Sequence, residues 1–419
     1  MKKLEIITAE QLQTKGWKWV INQFGFIVKI QDEEADQRLK SGQWILANDE
    51  QIVSDFIKTN YLPWKPRIYV PNYNNFAPNQ GYTHFARLLE AGLISKGIEF
   101  TTTLQPDTDL VLIINSVWAG ANTGQLEKMA NEAKALNKQI AMFTMFESDH
   151  WITSHVNEME HLDFLIVPSQ WNKETLVKQG YTKPIYVCPL PIEDKYQLQE
   201  RPVKRDTFTF LTYNGCDFRK GFPEYLDAFF EEFGEDEDVK YIQKTRADDS
   251  ANVNFNPYME RLNNTGKRKF VWIREDMNTN QLMALHAKTD CFVFPSKGEG
   301  WGYTPIEAIL TGNPVIITEA HSFLDWINPA CLPVQTTLEP ATFSILGEIQ
   351  DDVGFWFKPD KEDLKRQMRF IYETWKKEGR EAEIFKQPLV ERENLLKAYN
   401  KNAVSELFTI ILQDRKIIA

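Results

Sequence analysis

The stretch Phe292–Ala308, which reads FVFPSKGEGWGYTPIEA, is the most informative part of the chain. It begins as an apolar strand, continues as a loop with glycines at 298, 300 and 302, and predicts a helix from near Thr304. Glycine lets a backbone approach a ligand closely, and the N–H groups of such a loop and of the following helix N-terminus suit an anion. The stretch therefore predicts a strand, an anion-binding loop and a helix of an α/β domain.

Two carboxylates flank this loop. Glu299 is predicted to lie in its mouth, and Glu307 about one turn into the helix. A carboxylate at the second position can accept hydrogen bonds from the hydroxyl groups of a sugar. The alternative is structural: the loop is an N-capping turn, and Glu307 is a first-turn residue that the helix dipole stabilises.

A second loop of the same kind precedes it in the chain. Asn214–Phe222 reads NGCDFRKGF, follows an apolar strand and opens another predicted helix. Arg219 and Lys220 at a helix N-terminus suit a diphosphate leaving group, whose negative charge grows as it departs. Arg-Lys pairs are equally common on solvated turns, so the residues alone leave both interpretations open.

Short apolar segments alternate with helical stretches on both sides of residues 189–202, a charged segment punctuated by prolines. Such alternation indicates parallel sheets covered on both faces, whose ligands lie beyond the carboxyl ends of the strands. The predicted strands are 68–70, 99–103, 110–115, 139–146, 164–168, 185–188, 208–213, 240–244, 270–273, 291–295 and 315–318. The predicted helices are 82–96, 123–137, 151–161, 171–179, 222–233, 280–288, 304–310 and 361–377.

This pattern predicts two doubly wound, Rossmann-like α/β domains that face each other across a cleft. We assign residues 63–190 to the first domain and 191–389 to the second, with a helical stretch at 390–412 that crosses back, so that about 390–419 completes the first domain. Residues 1–62 are predicted to form a small appended α+β module that ends at the breaker Pro63-Trp64-Lys65-Pro66. Its strands are expected at 25–30 and 44–47 and its helices at 32–41 and 49–59. Its sequence does not indicate a function.

Composition limits the classes of function. A chain of 419 residues is long enough for two domains, and its formal net charge of −11 argues against general nucleic-acid binding, which needs a broad basic surface. No apolar run approaches the roughly 20 residues that span a bilayer. The N-terminus, Met1–Glu5, lacks the apolar core of a signal peptide, so we expect a cytoplasmic protein without a transmembrane segment.

The segment Pro295–Ile316, PSKGEGWGYTPIEAILTGNPVI, resembles the C-terminal signature of the family-4 retaining glycosyltransferases, which have the GT-B fold. The resemblance implies that Glu307 binds the donor ribose and that Glu299 lies near the donor sugar. It also implies that backbone amides of the loop contact the diphosphate, here those of Gly300, Trp301, Gly302, Tyr303 and Thr304. Arg219-Lys220-Gly221 resembles the family's basic element, although many relatives carry the arginine at the place of Cys216, so Lys220 is the stronger candidate.

Three segments of the first domain resemble elements of the same family: Asn79–His84 its acceptor-side glycine loop, and Phe143–Asp149 and Ile166–Trp171 two further elements. The loops at the first two are expected to face the cleft, and they supply the acceptor-side candidates Gly81, His84, Glu147, Asp149 and His150. A lone histidine in such a loop is more often a surface residue than a catalytic one. Asp149 has an equally good alternative role as the cap of the helix that follows.

The resemblance implies a retaining transferase that moves a sugar from a nucleotide-diphosphate sugar to a hydroxyl acceptor, a saccharide or a glycoconjugate. No cofactor and no metal are expected, because Asp248-Asp249 and Asp351-Asp352 read as solvated charges rather than as a metal-binding pair. Two alternatives stay open: transfer to a modified DNA base, and a non-catalytic GT-B protein. The acidic charge disfavours the first, and the joint presence of Glu299, Glu307 and Lys220 disfavours the second. The residues identify neither the donor sugar and base nor the acceptor.

Overall fold

The structure is a computed structural model. It describes Asp36, Lys40 and residues 17–21, 27–31, 45–46, 66–71, 81–114, 124–193, 195–199, 206–215, 217–234, 236–246, 269–345 and 348–418. The chain divides into two compact units, Met1–Pro66 and Arg67–Ala419. All the candidate site residues belong to the second unit.

The first unit contains an antiparallel sheet of three strands in the order β2-β1-β3. The strands are β1 Trp17–Ile21, β2 Ile27–Gln31 and β3 Ile45–Leu46. The predicted strands at 25–30 and 44–47 overlap β2 and β3, whereas β1 was not predicted. Asp36 and Lys40 are helical, as predicted for 32–41, and the predicted helix at 49–59 lies outside the described residues.

The second unit begins with a parallel sheet of six strands in the order β5-β4-β6-β7-β8-β9. Its strands are β4 Arg67–Tyr69, β5 Glu99–Thr101, β6 Leu110–Ile114, β7 Gln139–Phe143, β8 Phe164–Val167 and β9 Ile185–Val187. Its helices are α1 Gly81–Ile94, α2 Gln125–Ala135, α3 Thr153–Met159 and α4 Gln170–Lys178. Every residue of β6 and β8 is buried, as expected for strands covered by helices on both faces.

A second parallel sheet of six strands follows, in the order β12-β11-β10-β13-β14-β15. Its strands are β10 Phe208–Tyr213, β11 Val239–Thr245, β12 Phe270–Arg274, β13 Cys291–Phe294, β14 Val315–Thr318 and β15 Cys331–Val334. Its helices are α5 Phe222–Glu232, α6 Thr279–Ala287, α7 Tyr303–Leu310 and α8 Lys361–Glu378. The prediction of two doubly wound domains is confirmed, and β15 is the strand that it missed.

The order of the second sheet brings the two sequence motifs together. Strands β10 and β13 are parallel neighbours, with Phe210 opposite Cys291 and Leu211 opposite Phe292. Their carboxyl ends therefore meet at one edge of the sheet, so the loops that follow them, which begin at Asn214 and Pro295, lie side by side.

Two helices end the chain, α9 Glu383–Tyr399 and α10 Lys401–Asp414. The sequence predicted one continuous helical stretch at 390–412. This is wrong in one respect, because α9 ends before Asn400 and α10 begins after it. The Asn400 side chain caps α10 by accepting hydrogen bonds from the backbone N–H groups of Asn402 and Ala403. Helix α10 packs on α1 of the first domain, where Gly92 lies against Ser405. Among the described helices, none is long and apolar enough to cross a membrane.

Two short antiparallel ladders lie between β15 and α8, where no element was predicted. Strand β16 Thr336–Pro340 pairs with β19 Phe355–Pro359, and β17 Phe343–Ile345 pairs with β18 Glu348–Gln350. Trp356 from this region is buried in the apolar cluster of the first domain, together with Ala341 and Val353. The chain thus returns from the second domain to the first through this segment.

Candidate functional site

The loop between β13 and α7 lies directly against the first domain. A Cβ atom on Gly298 would lie 1.9 Å from the carbonyl oxygen of Glu147, and one on Gly300 would lie 2.5 Å from Sδ of Met145. Neither position has room for a side chain. The sequence predicted that the backbone at these two glycines closely approaches a ligand. In the structure it closely approaches Met145 and Glu147 of the first domain, which follow β7.

Glu299 forms the centre of a buried charge cluster, here called the Glu299 cluster, with Arg219 and Lys220. Lys220 Nζ donates to Glu299 Oε1, and Arg219 Nη1 lies 3.4 Å from the same oxygen. Ser296 Oγ also donates to Oε1, at 2.8 Å. The Glu299 side chain is 10% exposed, so its negative charge is compensated by these partners rather than by water.

The cluster is ionised at neutral pH. Burial alone raises the pKa of the Glu299 carboxyl, but Lys220 and Arg219 outweigh burial and lower that pKa to about 2. Burial lowers the pKa of the Arg219 guanidinium, and Glu299 and Glu147 reverse this and raise it above its usual value. Two cations and one carboxylate therefore share the space at the carboxyl edge of the second sheet.

The basic turn is fixed to the loop by its backbone as well as by its charges. Arg219 Nη1 donates to the Gly298 carbonyl at 2.6 Å, and Lys297 N–H donates to the Arg219 carbonyl at 2.7 Å. Asp217 Oδ1 accepts from the Lys220 N–H at 2.9 Å, which caps the turn. The sequence favoured Lys220 over Arg219, and the structure places both side chains at Glu299.

Glu307 lies one turn into α7, as predicted, and is held by tyrosines. The Tyr213 hydroxyl donates to Glu307 Oε2, and Tyr196 is a second hydrogen-bonding partner. Burial raises the pKa of the Glu307 carboxyl, although both tyrosines oppose that shift. Neither tyrosine was predicted: Tyr213 ends β10 just before the Asn214-Gly215 turn, a signal that could have found it, whereas Tyr196 lies in the inter-domain linker without a motif.

The N-terminus of α7 has unused hydrogen-bonding groups. Gly302 precedes the helix with φ of 92°, in the left-handed region that favours glycine, and no side chain caps the helix. Within the part of the chain that the structure describes, the buried Tyr303 hydroxyl, Thr304 hydroxyl and Asn214 amide nitrogen have no hydrogen-bond partner. Buried polar groups normally find partners, so each of these atoms is available to a polar ligand.

Trp301 has a different environment from its neighbours. It is 1% exposed, its ring lies 5.2 Å from that of Tyr399 and its carbonyl accepts a hydrogen bond from Trp326. Its ring is therefore part of the core, although its Nε1–H, like the hydroxyls of Tyr303 and Thr304, has no hydrogen-bond partner among the described residues.

The acceptor-side candidates fall into separate groups. Gly81 is the exposed first residue of α1. His84, on the same helix, reaches the second domain, where its ring meets Tyr303 edge-on at 5.1 Å, and its Nε2 lies 3.0 Å from Glu193 Oε1. Burial, helped by Lys195 and Arg87, lowers the pKa of His84 to about 4, so it is neutral at pH 7.

Glu147 is the acceptor-side candidate that faces the Glu299 cluster. It follows β7, and its carbonyl oxygen meets the loop at Gly298. Burial and the neighbouring Glu299 raise the pKa of the Glu147 carboxyl, while Arg219 and Lys220 oppose the shift. The first domain thus brings one further carboxylate to the charged edge of the second.

Asp149 and His150 contact residues 352–355 instead of the Glu299 cluster. Asp149 Oδ1 accepts from the Phe355 N–H at 2.6 Å, and His150 Nε2 lies 2.9 Å from Asp352 Oδ1. The capping role considered for Asp149 is wrong, because α3 begins after Ile152 and Asp149 accepts from Phe355 instead. Asp352 was expected to be a solvated charge, and its side chain is 52% exposed, while one of its carboxylate oxygens also accepts from the Thr153 N–H at the start of α3, at 2.9 Å.

Across the described ranges, no three or more His, Cys, Asp or Glu residues converge on a point that could hold a metal ion.

Solved structures share this two-domain architecture. Sucrose-phosphate synthase from Thermosynechococcus elongatus has a TM-score of 0.62 at 13% identity, over 84% of this chain and 99% of that one. Anabaena HepE in complex with UDP has a TM-score of 0.57 at 12% identity, over 84% and 100%. The pneumococcal O-GlcNAc transferase GtfA, in complex with UDP and GlcNAc, has a TM-score of 0.50 at 14% identity, over 73% of this chain and 56% of that one. The chain therefore has the fold of the GT-B glycosyltransferases.

A comparison of sequences indicates which group of glycosyltransferases the chain resembles. The family model of the glycosyl transferases group 1 matches residues 256–331, a segment that contains Glu299 and Glu307. No curated protein matches the chain by sequence. In its fold and in this segment, the protein resembles the group 1 glycosyltransferases, as its motifs predicted.

Proposed function

We propose that the protein is a retaining glycosyltransferase that moves a sugar from a nucleotide-diphosphate sugar to a hydroxyl acceptor, without a metal ion. The observation that carries this proposal is the position of Arg219 and Lys220. Both cations lie at Glu299, beside the uncapped N-terminus of α7. A helix N-terminus and two fixed cations form an anion site of the kind that holds a diphosphate.

A nucleotide-sugar donor fits the other polar groups at the carboxyl edge of the second sheet. The loop amides and the unpartnered hydroxyls of Tyr303 and Thr304 receive the diphosphate, and Glu307 accepts hydrogen bonds from the ribose. Tyr213 and Tyr196 orient the Glu307 carboxylate for that contact. The structures of HepE and GtfA hold UDP, which makes a UDP-sugar the first donor to test.

The transfer step needs positive charge where the leaving group departs. The bond between the anomeric carbon and the diphosphate breaks, and the acceptor oxygen forms its bond on the same face. The proton of the acceptor hydroxyl passes to the departing phosphate oxygen. Lys220 and Arg219 stabilise the charge that develops on the diphosphate, and their fixed positions avoid the cost of reorganisation during the reaction.

Glu147 is the residue that orients the acceptor hydroxyl in this proposal. It comes from the opposite domain and faces the same cluster as the donor sugar. A saccharide or glycoconjugate acceptor suits a chain with a net charge of −11 better than a nucleic acid does.

Thermal unfolding in EDTA with UDP, GDP or dTDP tests the donor site. A nucleotide at 100 times its dissociation constant should raise the free energy of unfolding by about 2.7 kcal/mol. NMR of the first product formed from the matching nucleotide sugar, with water as acceptor, then reports whether the anomeric configuration is retained. Absence of stabilisation by every nucleotide would contradict the donor site, and an inverted product would contradict retention.

A further inference from the structure

The segment 336–359, which we call the interdomain hairpin, is anchored at its base to the loop that carries Glu299. The Phe357 N–H donates to the Lys297 carbonyl at 2.9 Å. The buried Lys297 ammonium lies 2.5 Å from Glu339 of the hairpin and 2.7 Å from Glu224 of α5. The base of the hairpin and the donor-side loop are therefore joined by backbone and by charge.

The interdomain hairpin then reaches the first domain. Phe355 and Asp149 exchange hydrogen bonds, because the Phe355 N–H donates to Asp149 Oδ1 at 2.6 Å and the Asp149 N–H donates to the Phe355 carbonyl at 3.2 Å. The contact of His150 Nε2 with Asp352 Oδ1, at 2.9 Å, lies beside these hydrogen bonds. These polar contacts join the hairpin to the residues that directly follow Glu147.

Apolar packing strengthens the same junction. The ring of Phe343 stacks on Phe146 at 5.1 Å and meets the ring of Trp356 at 5.4 Å. Phe146 in turn stacks on Trp151 of the first domain at 5.3 Å. Phe146, directly before Glu147, thus packs on the hairpin. Asp149, two positions after Glu147, forms hydrogen bonds with the hairpin.

Gly354 shows how closely the two parts fit. Its φ is +67°, and a Cβ atom there would lie 2.3 Å from Asp149 Oδ1 and 2.5 Å from Cβ of His150. The segment Met145–Asp149 also meets Gly298 and Gly300 of the loop that carries Glu299 at similarly short distances. The segment therefore contacts both the loop and the hairpin, with Glu147 at its middle.

We infer that the interdomain hairpin positions Glu147 for the acceptor, with Asp149 as the positioning residue that acts through the Phe355 N–H. This inference rests on the proposed function for its catalytic consequence, but the restraint itself does not. Without the hydrogen bond from the Phe355 N–H, residues 145–149 keep the packing of Phe146 on Phe343 but lose a polar attachment at Asp149, so Glu147 is held less firmly at the Glu299 cluster.

Amide hydrogen exchange on the full chain tests the restraint without any substrate. Asp149→Ala should increase exchange in a peptide covering residues 144–149 at least tenfold and leave one covering 291–294 unchanged. Asp149→Asn keeps an acceptor oxygen for the Phe355 N–H and should exchange like the wild type. Leu338→Ala, at a side chain of the hairpin that is 59% exposed, is the surface control. Unchanged exchange at 144–149 in Asp149→Ala would overturn the inference, as would equal acceleration in Asp149→Asn.

Hydrolysis of UDP-glucose tests the consequence for Glu147. Asp149→Ala should lower kcat about tenfold with little change in KM, and Asp149→Asn should restore it. The charged and titratable groups facing Glu147 are Arg219, Lys220, Glu299, Asp217 and Tyr82. Burial and Glu299 raise the pKa of the Glu147 carboxyl. Release of residues 145–149 should therefore lower that pKa and move the acid limb of the kcat profile to lower pH.

The two measurements separate the possible failures. Wild-type protein that hydrolyses no nucleotide sugar would contradict the proposed function, while the exchange result would still decide whether the hairpin restrains residues 144–149. Asp149→Ala protein that melts earlier but keeps the wild-type kcat and pH profile would overturn the positioning role.

Discussion

Replacing Glu299 by glutamine should tighten the binding of free UDP and slow the transfer of sugar. In the structure, Glu299 cancels one of the two positive charges that Arg219 and Lys220 present to a diphosphate. Glutamine keeps the size of the side chain and an oxygen that can accept from Ser296 Oγ, which lies 2.8 Å from Oε1. The substitution therefore changes the charge of the cluster with little change in its packing.

The magnitude follows from the pKa of the Glu299 carboxyl, which falls from 4.5 to about 2. This corresponds to a net stabilisation of the charged form on the order of 3 kcal/mol. Because the folded pKa lies below the unfolded one, that stabilisation is present above about pH 4.5 and is lost as the pH falls towards 2. A bound diphosphate would compete with Glu299 for the same two cations. If UDP gains about half of the stabilisation that Glu299 loses in the variant, it binds roughly tenfold more tightly.

Calorimetric titration at neutral pH in EDTA measures this effect, with pyrophosphate as a second ligand that is independent of the base. Glu339→Gln is the matched control, because it removes the same charge from the partner of Lys297 instead of Lys220. UDP-glucose should gain less affinity than UDP in Glu299→Gln, since the expected contact of Glu299 with the donor sugar is weakened. Binding of UDP and pyrophosphate that is equal to or weaker than in the wild type would refute the electrostatic reasoning.

Three further changes test other parts of the site. Lys220→Ala should lower kcat about a hundredfold, because its charge helps the transition state more than bound donor, and an unchanged kcat would contradict its role. Glu307→Ala should mainly raise the KM for the donor, through the loss of roughly 1.5–3 kcal/mol of binding, and donor affinity equal to the wild type would leave Glu307 a helix residue only. A chain that starts at Arg67, where the second compact unit begins, should remain folded and bind UDP as the full chain does. Its insolubility would show that residues 1–66 belong to the folding unit of the first domain.

The core of the candidate site could be predicted because its signals are local. Asn214–Phe222 and Pro295–Ile316 each join a buried strand to a helix through a glycine-containing turn. In a parallel sheet such loops must meet at the carboxyl edge once their strands are neighbours, as β10 and β13 are. The roles of the individual residues within that edge stay predictions.

The interdomain hairpin could not be predicted, because its stability comes from partners distant in the chain. Strands β16 and β17 are short, and a short hairpin is at best marginally stable by itself. Its core contacts, Phe343 with Phe146 and Asp149 with Phe355, join residues about 200 positions apart. The role of Asp149 was misjudged for the same reason, since a local cap is visible in the sequence and a partner at position 355 is not.

The amino-acid sequence was enough to predict the two doubly wound domains and the two loop-and-helix motifs that carry Glu299, Glu307 and Lys220. Hydrophobic periodicity and glycine placement act over a few residues, so they can be read from one segment at a time. Three contacts are visible only in the folded chain: Arg219 lies 3.4 Å from Glu299, Tyr213 and Tyr196 hold Glu307, and Glu147 faces the Glu299 cluster. Each of these contacts depends on how the strands are ordered and the two domains packed, because burial, charge pairing and side-chain space are set by neighbours in three dimensions.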